Sequence, residues 1–80
     1  MEPHKNALKL EDAKLHKLRG ITNLTVALLY QADMTLADAQ KLIAQTRSKA
    51  LELFPDKGDT FDLIYGSRFR RILSERFRLQ

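Results

Sequence analysis

The sequence predicts a small all-α protein, an antiparallel bundle of three helices. Two short breaks, "QADMT" at 31–35 and "PDKGD" at 55–59, divide the chain into three stretches. Each stretch repeats its apolar residues at a helical period, and connections this short favour antiparallel neighbours. Two Pro and three Gly in 80 residues are too few for a turn-rich β fold. The same length allows one domain, residues 1–80, and no second core. Helices are expected over roughly 6–31, 35–54 and 60–78, with residues 1–5 frayed.

The first stretch carries Leu8, Leu15, Leu18, Val26 and Leu29 as one stripe. That stripe keeps its phase across Gly20, so one helix is expected, with Gly20 as the place where it would kink. A strand over 21–30 is the rival reading, but the rest of the chain offers it no pairing partner. Ile21, Leu24, Val26, Leu28, Leu29 and Tyr30 point nearly all round. An all-round apolar helix is a buried one, and two other helices of this size do not cover it. A homodimer is therefore expected, with Ile21, Leu24 and Leu28 at its seam.

The second stretch is the most regular. Thr35 and Asp38 have the spacing of a capping box, with an acid in the first turn. Ala39, Leu42, Ile43, Thr46, Ala50, Leu53 and Phe54 follow on one side. Ala39 and Ala50 would allow a neighbouring helix close. Pro55 disfavours helical geometry at Phe54 and ends the run.

The third stretch is expected to start at Asp59 or Thr60, where Asp59 and Asp62 repeat the cap-plus-acid spacing. Phe61, Tyr65, Phe69 and Ile72 stay within an arc of about 80°. The third helix is thus expected to run through Gly66, the second place for a kink; Ser67 as the cap of a separate last helix is the alternative.

Charge is unevenly placed. Residues 1–66 hold nine Lys or Arg and nine Asp or Glu, whereas residues 67–80 hold five Arg against Glu75 alone. The net charge of +4 therefore sits in "SRFRRILSERFRLQ". On a helix, Phe69, Ile72, Leu73, Arg76, Phe77 and Leu79 share one arc, and Arg68, Arg70, Arg71 and Arg78 fall outside it. Those four arginines are candidates for contact with nucleic-acid phosphates or an acidic protein. The competing reading is a solvated face paired with acids such as Asp38 or Glu52. Attachment to an anionic membrane surface would need the apolar side of the helix to be free. The phenylalanines point the other way, which makes them poor platforms for stacking bases. Arg76 lies inside the apolar arc, where an unpaired guanidinium is costly. It is expected to snorkel or to meet a carboxylate across an interface.

Catalytic signals are poor. His4 and His16 have no acid constellation placed beside them, and no cysteine exists to form a disulfide or a thiolate zinc site. Asp56, Asp59 and Asp62 do not have the alternate spacing of a calcium loop. Ser48, Ser67 and Ser74 lack a recognisable base partner. No cofactor or small-molecule substrate is evident. A DNA-binding helix-turn-helix fits badly, because both helices around 55–59 approach twenty residues. The longest mostly apolar stretch, "ITNLTVALLYQA", falls short of the roughly 20 residues of a membrane span. A cytoplasmic, non-catalytic interaction or assembly protein is expected.

Overall fold

Three helical rods form in the order the sequence predicts. The computed structural model describes the backbone of residues 3–78 and the side chains of residues 11–78. Helix α1 spans Pro3–Gln31 and α2 spans Leu36–Leu53. The third rod is α3 (Gly58–Phe61), a π-helical turn (Asp62–Gly66) and α4 (Ser67–Phe77), joined without a break. No strand occurs among the described residues. Among the described residues no helix is long and apolar enough to cross a membrane.

α1 passes through Gly20 as uninterrupted α-helix, and nothing lies within 4 Å of where a Cβ would stand there. It begins at Pro3, so residues 3–5, expected to fray, belong to it. A helix of 29 residues is about 43 Å long, against about 27 Å for the 18 residues of α2. α1 therefore overruns its neighbour. The radius of gyration is accordingly 14.8 Å, where a compact chain of this size has about 12 Å.

The start of α2 follows its sequence. Thr35 is the N-cap, its Oγ1 accepts from the Asp38 N–H at 3.1 Å, and Asp38 Oδ2 accepts from the Thr35 N–H at 3.4 Å. The end of α2 does too, since Phe54 leaves helical geometry just before Pro55.

The start of the third rod does not. Lys57 is the N-cap and makes no side-chain cap bond. Asp59 sits in the first turn, and Asp62 is drawn away to Arg47 of α2. Gly66 marks a π turn, closed by the Ser67 N–H donating to the Asp62 carbonyl five residues back. Ser67 caps no separate helix. The wider turn relaxes the drift that an α-helix imposes on an i, i+4, i+8 series. Phe61, Tyr65 and Phe69 consequently share one face, with ring centroids 5.3, 6.2 and 6.4 Å apart. Arg78 ends α4 in the left-handed region at φ 54°. Leu79 lies outside the described residues.

The core joins Leu29 of α1, Ala39 and Ala50 of α2, and Phe61, Phe69, Ile72 and Leu73 of the third rod. Phe69 and Leu29 are the largest fully buried side chains, each contributing on the order of 1.5–3 kcal/mol. Three threonines complete this interior: Thr22, Thr25 and Thr46. Thr22 Oγ1 donates to the carbonyls of Leu18 and Arg19, at 3.0 and 3.1 Å. Threonine has one hydroxyl proton, so this is a shared bond. Leu18, Thr22, Thr25 and Leu29 are spaced four, three and four residues apart, as are Ala39, Ile43, Thr46 and Ala50. This is the 3.5-residue seam of two long antiparallel helices, built here partly of hydroxyls.

Candidate functional site

Two surfaces stand out, on opposite sides of the bundle. The first belongs to α1 and α2. Thr25 meets Thr46 across these helices, and Tyr30 meets Glu75 of α4 through a 3.4 Å hydroxyl–carboxylate bond. These two residues fix which sides of α1 face α2 and α4. Stepping 100° per residue from them, Ile21, Leu24 and Leu28 fall on the side turned away from α4. Thr46 and Arg47 fix α2 in the same way, and place Leu42, Lys49 and Leu53 on its matching side.

The outcome differs from an all-round buried segment. Polar Thr22 and Thr25 are inside, while Leu24 is 61% exposed and Ile21 and Leu28 are half-buried. Lys17, Ile21, Lys49, Glu52 and Leu53 line a shallow depression here. Lys49 was not singled out by the sequence, while Leu42 and Leu53 were read as part of the one apolar stripe of α2 and Glu52 as a partner for the arginines.

The second surface is the outer ridge of α4. Arg68, Arg70, Arg71 and Arg78 are all exposed. Phe69, Ile72 and Leu73 are buried on the opposite side of that helix. Among the described residues the one salt bridge is Arg47–Asp62, so none of the four arginines is paired. The acids expected to neutralise them are engaged or placed elsewhere: Asp38 in the cap of α2, Glu52 at the α1/α2 depression. Asp62 is held by Arg47 through two bonds, Nε–Oδ1 at 2.8 Å and Nη2–Oδ2 at 3.0 Å. The hydrogen bond from Arg47 lowers the Asp62 carboxyl below its ordinary range, and the charge of Arg70 adds to this.

Arg76 leaves both surfaces. It is exposed rather than buried, and its guanidinium donates to the carbonyl of Ala32 just beyond α1. That carbonyl belongs to a helix end otherwise short of donors. The same guanidinium stands 5.9 Å from the Phe77 ring centroid. Of the two expectations, snorkelling or a carboxylate across an interface, the guanidinium shows neither a buried position nor a carboxylate within the chain; it reaches a backbone carbonyl. Arg76 gives no reason to invoke a second copy.

A further feature escaped the sequence reading. Between α1, the C-terminal end of α2 and the π turn, Leu15, Leu18, Leu51, Phe54, Ile64 and Tyr65 line a half-open apolar cleft of about 330 Å³. Lys14 lies above Phe54, 5.9 Å from its ring centroid. Its residues come from all three rods, so no local pattern announces it. His16 is exposed on α1, and the side chain of His4 lies outside the described residues.

Fold and surfaces together define a small all-α three-helix bundle with an apolar face and a basic ridge. Comparison with protein families, with curated proteins and with solved structures finds no match.

Proposed function

We propose that this protein is a non-catalytic helical interaction module that self-associates through the open α1/α2 face. The observation that carries this reading is Leu24, 61% exposed beside Ile21 and Leu28 on the side away from α4. Leaving large apolar groups in water forgoes stabilisation of about 25 cal/mol per Å². A small domain gains more than a large one by covering them.

A second copy is the occupant that fits. The face carries Lys17 and Lys49 together with Glu52. A two-fold contact sets each patch against itself, so a patch holding both signs can pair with its own copy. The face is also large enough. Two helices side by side, each about 10 Å across and sharing about 27 Å of length, offer about 540 Å² per partner, which just clears the ~1,000 Å² in total that a biological interface needs. A cysteine-free chain suits the reducing cytoplasm, and we place the module there.

Sedimentation equilibrium of the wild type and of Leu24→Glu tests the reading. The expected result is twice the chain mass at tens of micromolar for the wild type, and the monomer mass with unchanged helicity for the variant. A wild-type monomer at that concentration overturns it.

A further inference from the structure

We infer that the outer ridge of α4 is a phosphate-binding surface that grips the backbone of double-stranded nucleic acid without reading its sequence. Arg68, Arg70, Arg71 and Arg78 carry the contact.

The choice of cation is the first argument. Residues 1–66 use seven lysines and two arginines, whereas residues 67–80 use five arginines and no lysine. A face needing only solubility is served by either residue. A guanidinium differs in presenting a planar fork that grips carboxylate or phosphate through two parallel bonds. Elsewhere in this chain Arg47 uses its fork in that way, on Asp62. Of the five arginines in the last segment, only Arg76 is engaged within the fold. The other four present unengaged forks among the described residues.

The second argument is what the fold withholds. Glu75 is the single acid on α4, and it accepts from the Tyr30 hydroxyl. Asp62 is forked by Arg47, and Asp38 closes the cap of α2. No ridge arginine forms an ion pair with these acids among the described residues, and five arginines against Glu75 leave residues 67–80 with a net positive charge. It projects into solvent.

The third argument selects the partner. Phe69, Ile72 and Leu73 are buried in the core, so α4 has no free apolar face to sink into a bilayer. The same burial removes them as stacking platforms for unpaired bases. An acidic peptide would have to match its carboxylates to the arginines one by one. A duplex carries a charge every ~1.7 Å of its axis and accommodates them at any spacing. From Arg68 to Phe77 the helix rises about 14 Å, and Arg78 turns out of it just beyond. Arginine can also fork onto guanine edges, whereas contacts to phosphates alone carry no sequence information; two duplexes of unrelated sequence tell the two apart.

The test is fluorescence anisotropy of two labelled 20-bp duplexes of unrelated sequence, titrated with full-length protein between 50 and 200 mM NaCl. Arg70→Glu/Arg71→Glu and Leu24→Glu are run beside the wild type, with circular dichroism confirming their helicity. The expected result is equal affinity for both duplexes and a log–log salt slope of about −3 to −4. That slope weakens binding roughly 60- to 250-fold across the salt range. The double arginine variant is expected to lose binding at 50 mM NaCl. Leu24→Glu is expected to keep binding, because it lies on the other side of the bundle; failure of self-association is thereby read separately from failure of the ridge. No binding at 50 mM NaCl, binding undisturbed by the double variant, or equal binding to poly-glutamate overturns the inference.

Discussion

The hydroxyl oxygens of Thr25 and Thr46 stand 2.6 Å apart in the interior of the bundle, joining α1 to α2. Thr25 Oγ1 also lies 3.0 Å from the Ile21 carbonyl, and Thr46 Oγ1 lies 2.9 Å from that of Leu42. Two protons serve three contacts, because each hydroxyl has one to give. Either residue can donate across the seam while the other donates back into its own helix. No buried side-chain polar atom among the described residues is left without a partner.

Valine has nearly the shape of threonine, so the value of this pair is measurable. Thr25→Val and Thr46→Val are each expected to lower unfolding free energy by about 1 kcal/mol, since the remaining hydroxyl keeps its own carbonyl. The double variant is expected to lose less than the sum, because removing both partners leaves no polar group stranded. Urea unfolding of the four proteins closes the cycle. Strict additivity would mean the 2.6 Å contact contributes no coupling.

The Arg47–Asp62 pair ties α2 to the π turn and sets an acid limit. Asp62 has its folded pKa lowered, first by the hydrogen bond from Arg47. A lowered folded value stabilises above the unfolded carboxylate value of about 3.9, and this is lost as pH falls through the folded value. Melting temperature should therefore fall as pH drops below about 4. Asp62→Asn should flatten that part of the profile while melting lower than wild type at pH 7. A variant profile parallel to the wild type would assign the acid sensitivity to other groups.

Arg76 and Arg71 are both exposed arginines on α4, yet only Arg76 bonds to Ala32 beyond the end of α1. Arg76→Ala should destabilise the bundle by roughly 0.3–1 kcal/mol, the range for a cation at a helix C-terminus. Arg71→Ala should leave stability unchanged. Thermal unfolding of the two variants separates a structural arginine from a ridge arginine. Equal effects would deny Arg76 its special place.

The apolar face and the arginine ridge look in opposite directions. A dimer joined through Leu24 carries its two ridges on its outer sides. The wild type is expected to hold two duplexes in one complex, and Leu24→Glu only one. Sedimentation velocity with labelled duplexes reads the difference. A wild-type dimer that holds a single duplex would contradict the outward arrangement.

Much of this was legible before the fold was known. Thr35 and Asp38 announce a helix start because both partners of a capping box are close in sequence. Phe54 before Pro55 announces a stop for the same local reason. The segregation of Arg68, Arg70, Arg71 and Arg78 from Phe69, Ile72 and Leu73 follows from a 100° step alone. Thr22 and Thr25 were not legible, because hydrophobic pattern treats threonine as polar. In a helix its hydroxyl can bond back to its own carbonyl row, which lets it enter the interior. The 4-3-4 spacing Leu18, Thr22, Thr25, Leu29 was the signal available.

The sequence by itself determined the number of helices, their ends to within a few residues, and the single basic face, since these depend on neighbours along the chain. Tertiary structure alone decided the rest. It turned threonines inward and Leu24 outward, because α2 approaches α1 along one side only. It drew Asp62 to Arg47 and opened a π turn at Gly66, which keeps three aromatic rings on one face. It turned Arg76 to the carbonyl of Ala32 and left four arginines without an ion pair among the described residues, because which charges meet depends on how helices distant in sequence come to lie together.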